Sequence, residues 1–215
     1  NVTNKHVGAV VKSWQDRGLE TKTIKEYLSG VRATAEANGN NSIHKANSAF
    51  GLENIKYVKN IDKSMPDAKL TSIMINLKAG GNHEIRVAAQ LGLCRHLGLR
   101  HEEARKFNPS RDVLPDGRVH VAAGAKGGKE RVLSEISPEG RNAIENARSV
   151  AGTGSMIPPD MRDSQWEKKG YKILEKAGAN KKYEKFHSAR HAYAQLRYEQ
   201  LTGFKCRVKY ESKEA

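Results

Sequence analysis

Apolar residues recur at helical spacing through the first part of the chain, in short amphipathic segments separated by glycine. Two helices are predicted there, the first capped by Thr3 and both joined by a turn at Gly18. Their predicted inward residues are Val7, Val10, Val11, Trp14, Ile24, Tyr27, Leu28, Val31 and Ala35. Two helices are too few to close a core, so we expect more chain from one side or the other to complete it.

The remainder of the chain predicts further helices and one β-hairpin. Residues 40–66 lack a regular pattern and predict a linker, with a domain boundary near residues 62–67. The helix that starts at Asn82 is apolar nearly all round, which favours a buried central position. Residues 118–122 alternate between apolar and polar, and residues 130–133 return after a glycine-rich turn, as in a hairpin. The other predicted helices begin near Asp67, His101, Pro138, Ser164 and His187.

These elements predict a mainly α fold class with a small antiparallel β-sheet, an α+β architecture. In the last predicted helix, Ala192, Leu196 and Leu201 are expected among the inner residues.

The net charge points to a polyanionic partner. The chain carries 38 Lys and Arg against 24 Asp and Glu, a formal charge of +14, and its isoelectric point is about 9.8. Such an excess favours nucleic acid first and an acidic membrane surface second. No apolar run approaches the ~20 residues of a spanning helix. The two cysteines, Cys94 and Cys206, are too few for a disulfide framework, and we expect a reducing, intracellular location.

The residues that carry candidate chemistry leave several interpretations open. The turn at residues 124–129, GAKGGK, has the wrong glycine spacing for a nucleotide-binding phosphate loop and is followed by Glu130 instead of Ser or Thr. His187 and His191 stand four residues apart, a spacing that a metal could use, but they lack the intervening Glu of a zinc-protease motif. The same run could bind phosphate or form a solvated helix face.

Three short stretches resemble the sequence boxes of tyrosine recombinases, the phage-integrase type of site-specific recombinase. Residues 97–103 read LGLRHEE, similar to the GLRxxE box of that family, and residues 187–191 read HSARH, matching the HxxRH box. Residues 124–132, GAKGGKERV, resemble the GKGxKxR hairpin between them. Each match alone is weak, but their order on helix, hairpin and helix is specific.

The resemblance implies a role for each matching residue. Arg100 and Arg190 would hold the scissile phosphate, Lys126 would protonate the leaving 5′-hydroxyl, and His187 would assist proton transfer or bind the phosphate. Glu103 and His191 would support these groups. The expected DNA-binding residues are Lys22, Lys25, Arg32, Lys129 and Arg131. The resemblance implies no metal or nucleotide cofactor.

The resemblance also implies a domain organisation and partners. Residues 1–62 resemble the C-terminal part of a SAM-like helical core-binding domain, and residues 63–215 a catalytic domain truncated at its C-terminus. Together they would clamp double-stranded DNA, with no membrane partner, and members of the family assemble as tetramers on two duplexes.

The family's nucleophilic tyrosine has no matching position, because no LGH-like box follows residues 187–191. Tyr193 and Tyr198 lie in the predicted helix and are expected to be structural, so we expect the nucleophile outside this chain. A naturally inactive relative and a displaced nucleophile at Tyr210 are the alternatives. The competing functions are a non-catalytic DNA-binding protein of the same fold and an RNA-binding protein, which the 6% aromatic content disfavours.

Overall fold

A computed structural model describes residues 2–54 and 60–211, which divide into two compact units, Asn1–Lys59 and Asn60–Ala215. The first unit contains α1 (Asn4–Asp16), α2 (Thr21–Ala37) and a 3₁₀ turn at Asn47–Phe50. The second contains α3 (Asp67–Lys78), α4 (Asn82–His96), α5 (His101–Lys106), α6 (Pro109–Asp112), β1 (Val119–Val121), a 3₁₀ turn at Lys126–Gly128, β2 (Arg131–Leu133), α7 (Pro138–Ala151), α8 (Asp163–Lys176), α9 (Phe186–Thr202) and α10 (Val208–Glu211). None of the described helices is long and apolar enough to cross a membrane.

The first unit is a helical hairpin whose core is closed by the chain that follows it. Thr3 caps α1, accepting a hydrogen bond from the His6 amide at 3.4 Å. Ile43 and Leu52 are buried against the helices, so the irregular segment supplies the missing apolar surface. Tyr27 was predicted to point inward, but it is 50% exposed and lies edge-on to Trp14 on the flank of the hairpin.

The second unit is built around α4, as the sequence predicted. Every residue from Val87 to Cys94 is buried, and α4 packs against α3, α5, α7, α8 and α9. Helices α3 and α4 begin at Asp67 and Asn82, where the sequence predicted their starts, and Pro66 and Gly81 are their N-cap residues. Burial on all sides makes α4 a fixed platform for the helices that carry the candidate site.

The sheet is a two-stranded antiparallel hairpin, in which Val119 pairs with Leu133 and Val121 with Arg131. Val119 and Val121 are buried in the core of the second unit, which fixes the hairpin to the helices. An isolated bridge joins Val113 to Val119. This mainly helical fold with a small antiparallel sheet confirms the predicted fold class.

The prediction for the end of α9 was wrong. Leu196 is 41% exposed and Leu201 is 68% exposed, whereas Phe186 and Ala189 near the start of the helix are fully buried. The buried positions of α9 end at Gln195. The apolar periodicity of the sequence therefore continues past the point at which the helix leaves the core.

Candidate phosphate-binding site

A buried carboxylate, Glu103, organises the candidate site. It lies in the first turn of α5, is 2% exposed, and accepts hydrogen bonds from the Arg100 amide at 2.7 Å and from Arg100 Nη1 at 2.8 Å. Arg131 on β2 donates from Nη1 to Oε1 at 2.8 Å and from Nη2 to Oε2 at 2.7 Å. This bidentate pairing uses the planar guanidinium fork, which a lysine could not reproduce.

Arg190 on α9 reaches the same carboxylate. Its Nη1 lies 3.7 Å from Glu103 Oε2 and also donates to the carbonyl oxygen of Gly98. Three guanidinium groups thus surround one carboxylate, so the cluster keeps a surplus of positive charge. The side chains of Arg100 and Arg190 remain 41% and 27% exposed, so both can still meet a ligand.

The electrostatics of the cluster favour an anion. Burial opposes the ionisation of Glu103, but hydrogen bonds from Arg131 and Arg100 outweigh it and lower its pKa to about 2. Burial and the neighbouring charge of Arg100 lower the pKa of Arg190. An arginine remains protonated even so, and one carboxylate offsets only one of the three guanidinium charges, so a bound anion would reduce the repulsion that remains.

A stack of rings joins the start of α5 to the start of α9. The ring of His101 lies parallel to that of Phe186, with centroids 3.9 Å apart, and Tyr171 meets both edge-on. Phe186 is fully buried and precedes His187. The stack therefore joins the residue after Arg100 to the residue before His187, and the charge of Arg100 acts on the His187 imidazole.

Gly98 lets the turn between α4 and α5 approach α9. Its φ is 63°, a conformation that favours glycine, and a Cβ there would lie 2.3 Å from Cδ1 of Tyr193. Its carbonyl oxygen is the one that Arg190 binds. The contact supports the expected structural role for Tyr193.

His187 and His191 lie on successive turns of α9, with their rings 4.5 Å apart and nearly perpendicular. Burial lowers the pKa of His187, and the charges of Arg190, Lys63 and Arg100 lower it further. Burial, His187 and Lys63 likewise lower the pKa of His191. Both imidazoles therefore bind a proton less readily than a free histidine does, and the negative charge of an anion beside them would favour protonation.

The hairpin between the strands rests on α5 at its base and is exposed at its tip. Gly124, with φ of 79°, passes so close to α5 that a Cβ would lie 3.0 Å from the carbonyl oxygen of Glu102. Lys126 lies two residues further on, exposed on a turn that also contains Gly127 at φ 68°. Lys129 is exposed at the other end of this turn.

The remaining predicted DNA-binding residues divide into exposed and engaged side chains. Lys22 is exposed on α2. Lys25 donates to the carbonyl oxygen of Glu53, and Arg32 donates to the carbonyl oxygens of His44 and Ala46 and to Asn47 Oδ1. Arg32 therefore ties the irregular segment to α2. Arg131 is engaged as well, since both of its terminal nitrogens bind Glu103.

The stacked rings of His101 and Phe186, which join the start of α5 to the start of α9, were not predicted from the sequence. Phe186 adjoins the HSARH stretch and is its nearest large apolar residue, a signal that could have marked it as an anchor. The stacking partner, His101, gave no such signal, because a histidine at a helix start is usually exposed. Among the residues that the structure describes, no group of three or more His, Cys, Asp or Glu side chains could hold a metal ion.

Comparison with known proteins identifies the family. A family model described as integrase matches residues 56–196, well over half of the chain and all three sequence boxes. The chain belongs to the integrase family of tyrosine recombinases. No curated protein sequence matches it significantly.

Solved structures share the fold of this tyrosine recombinase. A lambda integrase fragment bound to DNA has a TM-score of 0.62 at 16% identity, covering 94% of this chain and 73% of that one. The Tn1549 transposon integrase, in complex with circular intermediate DNA, has a TM-score of 0.61 at 13% identity, with 98% and 76% covered. The XerH site-specific recombinase bound to its difH substrate has a TM-score of 0.59 at 16% identity, with 93% and 60% covered.

Proposed function

We propose that this chain is part of a site-specific recombinase that cuts and rejoins double-stranded DNA through a 3′-phosphotyrosyl intermediate. The observation that carries the proposal is the meeting of Arg100 and Arg190 at the carboxylate of Glu103. Arg100 immediately precedes α5 and Arg190 lies on α9, and both keep part of their surface exposed. The family match and the DNA-bound structures of the same fold support the same reading.

The arginine pair suits the charge that develops during phosphodiester cleavage. Attack on phosphorus concentrates negative charge on the non-bridging oxygens, where fixed guanidinium donors stabilise it most. In the proposed site, Arg100 and Arg190 each donate to one of those oxygens. Glu103 and Arg131 keep the donors in place, so little reorganisation is needed when the transition state forms.

The proposed proton transfer balances the reaction. A tyrosine oxygen forms a bond to phosphorus, the bond from phosphorus to the 5′-oxygen breaks, and Lys126 donates a proton to that oxygen. In the reverse step a 5′-hydroxyl attacks the phosphotyrosine and returns the proton. His187, whose pKa is lowered by burial and by the charge of Arg190, accepts the proton that the attacking tyrosine releases, or binds the phosphate while that proton passes to solvent.

We place the nucleophilic tyrosine outside this sequence. The ring of Tyr193 packs against Gly98, and Tyr198 projects from α9 with 47% of its surface exposed. The side chain of Tyr210, the displaced candidate, lies outside the described residues. Residues 1–62 and 63–215 would then act as parts of a core-binding and a catalytic domain.

The proposed partner is duplex DNA, bound largely through phosphate charge. The formal charge of +14 and exposed lysines such as Lys22 and Lys129 suit non-specific phosphate contacts, whose strength falls steeply with salt. Assembly into a tetramer follows from the same proposal, since one solved relative is a lambda integrase tetramer on a Holliday junction.

The test is covalent trapping on nicked DNA. Binding selection from a random duplex library defines the site, and a nick next to the scissile phosphate lets the cleaved fragment diffuse away, so that the adduct accumulates. The polypeptide encoded through the codons beyond Ala215 should form the adduct, whereas its Arg190→Gln variant should not. The 215-residue chain alone should bind the duplex and form no adduct.

The outcomes separate the enzyme from a non-catalytic DNA-binding protein. Binding by the longer polypeptide without any adduct would leave only the binding function, in which the same cations grip phosphates. Failure of both polypeptides to bind duplex DNA would contradict the recombinase function and the DNA-binding function alike. An adduct on the 215-residue chain itself would instead place the nucleophile within it.

A further inference from the structure

The segment that opens the second unit is tied along one face of α9. The amide of Met65 donates to the carbonyl oxygen of Ser188 at 3.0 Å, and Gln195 Nε2 donates to Asp62 Oδ1 at 2.7 Å. Met65 is buried in the core of the second unit. We call residues 62–65 the strap.

The two attachments fix the path of the strap. Ser188 and Gln195 lie about two helical turns apart, roughly 10 Å along the axis of α9. An extended chain covers about the same distance, ~10 Å, between Asp62 and Met65. The strap therefore runs antiparallel to α9 and crosses the turn that carries His191.

Lys63 lies on the strap between these attachments, and its side chain is exposed. Its neighbour Asp62 carries a negative charge, but the hydrogen bonds of that carboxylate go to Gln195 and the Ser64 amide, and no ion pair with Lys63 forms within the described ranges. Among the residues that the structure describes, Lys63 makes no hydrogen bond or ion pair. The charge of its ammonium is felt at both imidazoles, where it lowers the pKa of His187 and of His191.

We infer that Lys63 is a further phosphate-binding residue of the candidate site, contacting DNA beside the arginine cluster; the inference rests on the proposed function. The charges that act on the two imidazoles beside it are those of Lys63, Arg190 and, at His187, Arg100, against the single carboxylate of Asp62 at His191, so the local charge is positive. A DNA phosphate supplies the missing counter-charge. A flexible lysine suits this contact, because it can reach a phosphate oxygen as a point charge without a fixed geometry.

A solvated lysine is the competing interpretation, since most exposed lysines contact only water. Two observations favour the phosphate contact. The strap is fixed at both ends by hydrogen bonds, so Lys63 is held at one place along α9. That place lies beside His187 and His191, on the helix that carries Arg190.

The experiment measures how the affinity of the 215-residue chain for a fluorescein-labelled duplex depends on salt. Each lost phosphate contact reduces the slope of log K against log salt by about 0.9. We expect Lys63→Gln to show that reduction and Lys63→Arg to keep the wild-type slope. Lys168→Gln, at an exposed lysine of α8, removes the same charge outside the strap and should also keep it.

A second readout tests the location of Lys63 independently of DNA. In the free chain, titration of the histidine ring signals by nuclear magnetic resonance should show a higher pKa for His187 and His191 in Lys63→Gln than in the wild type. No change at either histidine would contradict the placement of Lys63.

An unaltered salt slope in Lys63→Gln, or an equal reduction in Lys168→Gln, would overturn the inference and leave the proposed function standing. Failure of the wild-type chain to bind duplex DNA would overturn both.

Discussion

The arginine cluster and the lysine hairpin carry the same charge but are held in opposite ways. Arg100, Arg131 and Arg190 converge on a buried carboxylate, with an aromatic stack beside them. Lys126 lies exposed on a turn whose glycine has a left-handed conformation. The arginines are held by buried hydrogen bonds before any ligand arrives, whereas the lysine is exposed on its turn.

The difference matches what each region is proposed to do. Stabilising charge in a transition state requires donors that need no reorganisation, which buried hydrogen bonds supply. Delivering a proton requires a group that approaches one oxygen at one moment, which an exposed lysine on a glycine turn can do. Substitutions in the arginine cluster should therefore lower the free energy of unfolding, whereas substitutions at the hairpin tip should lower only the rate of DNA cleavage.

The largest stability effect is expected for Glu103→Gln. Removing this buried carboxylate leaves three guanidinium groups facing one another, and breaking a buried ion pair in this way costs about 3–5 kcal/mol. Urea unfolding of the 215-residue chain measures the loss. The matched control is Glu102→Gln, one residue earlier, where the exposed carboxylate pairs with Lys106 at 2.6 Å and the loss should stay below about 1 kcal/mol. Equal losses would contradict the special position of Glu103.

The second prediction concerns the aromatic stack and acid. Burial lowers the pKa of His101 to about 3, although its ordinary value is 6.5. A depressed histidine pKa means that the folded form binds the proton less well than the unfolded form. The stabilisation is therefore complete above pH ~6.5 and declines by up to about 1.4 kcal/mol per pH unit between there and pH ~3.

Comparison with His101→Phe isolates this contribution, because phenylalanine keeps the stack with Phe186 but does not titrate. The difference between the free energies of unfolding of the two proteins should change with pH between 6.5 and 3. It should be constant above that window. A difference that does not vary with pH would show that His101 is not held neutral.

The third prediction tests the link between α5 and α9. Phe186→Leu keeps an apolar side chain of similar size but loses the parallel ring contact with His101, at a cost of about 1–1.5 kcal/mol. Phe204→Leu is the matched control, since Phe204 is 70% exposed and its replacement should change stability by less than about 0.5 kcal/mol. Both values come from thermal or urea unfolding.

The smallest stability effect, paired with a large chemical one, is expected for Lys126→Gln. Its free energy of unfolding should stay within about 0.5 kcal/mol of the wild type, because the side chain is exposed. In the longer polypeptide, which we propose cleaves DNA, the same change should slow cleavage by about 10²–10⁴-fold.

A substrate with sulfur in place of the 5′-oxygen at the scissile phosphate separates the two regions. A thiolate leaves without a proton, so the substrate should restore cleavage by Lys126→Gln but not by Arg190→Gln. If the sulfur substrate does not restore cleavage by Lys126→Gln, Lys126 is not the proton donor.

The helices, the hairpin and the central position of α4 could be predicted from the sequence, because they depend on local periodicity and turn residues. Arg100 and Arg190 could be predicted as candidate site residues, because they lie in sequence boxes whose order is specific. Arg131 was assigned to DNA, but in the structure it binds Glu103, and no local pattern reveals a pairing between a strand and a distant helix. Leu196 and Leu201 continue a helical pattern that says nothing about where the core ends.

The strap shows the same limit. Asp62 and Met65 lie in a segment without pattern, yet their hydrogen bonds to α9 join residues more than a hundred positions apart. Such contacts depend on the tertiary fold.

A crystal structure of the 215-residue chain with duplex DNA would show whether Arg100 and Arg190 bind one phosphate together. We expect one phosphate whose non-bridging oxygens lie within about 3 Å of a nitrogen on each arginine, with Glu103 still bound behind them. Arginines that contact two different phosphates, or that remain turned toward Glu103 with no phosphate between them, would contradict it.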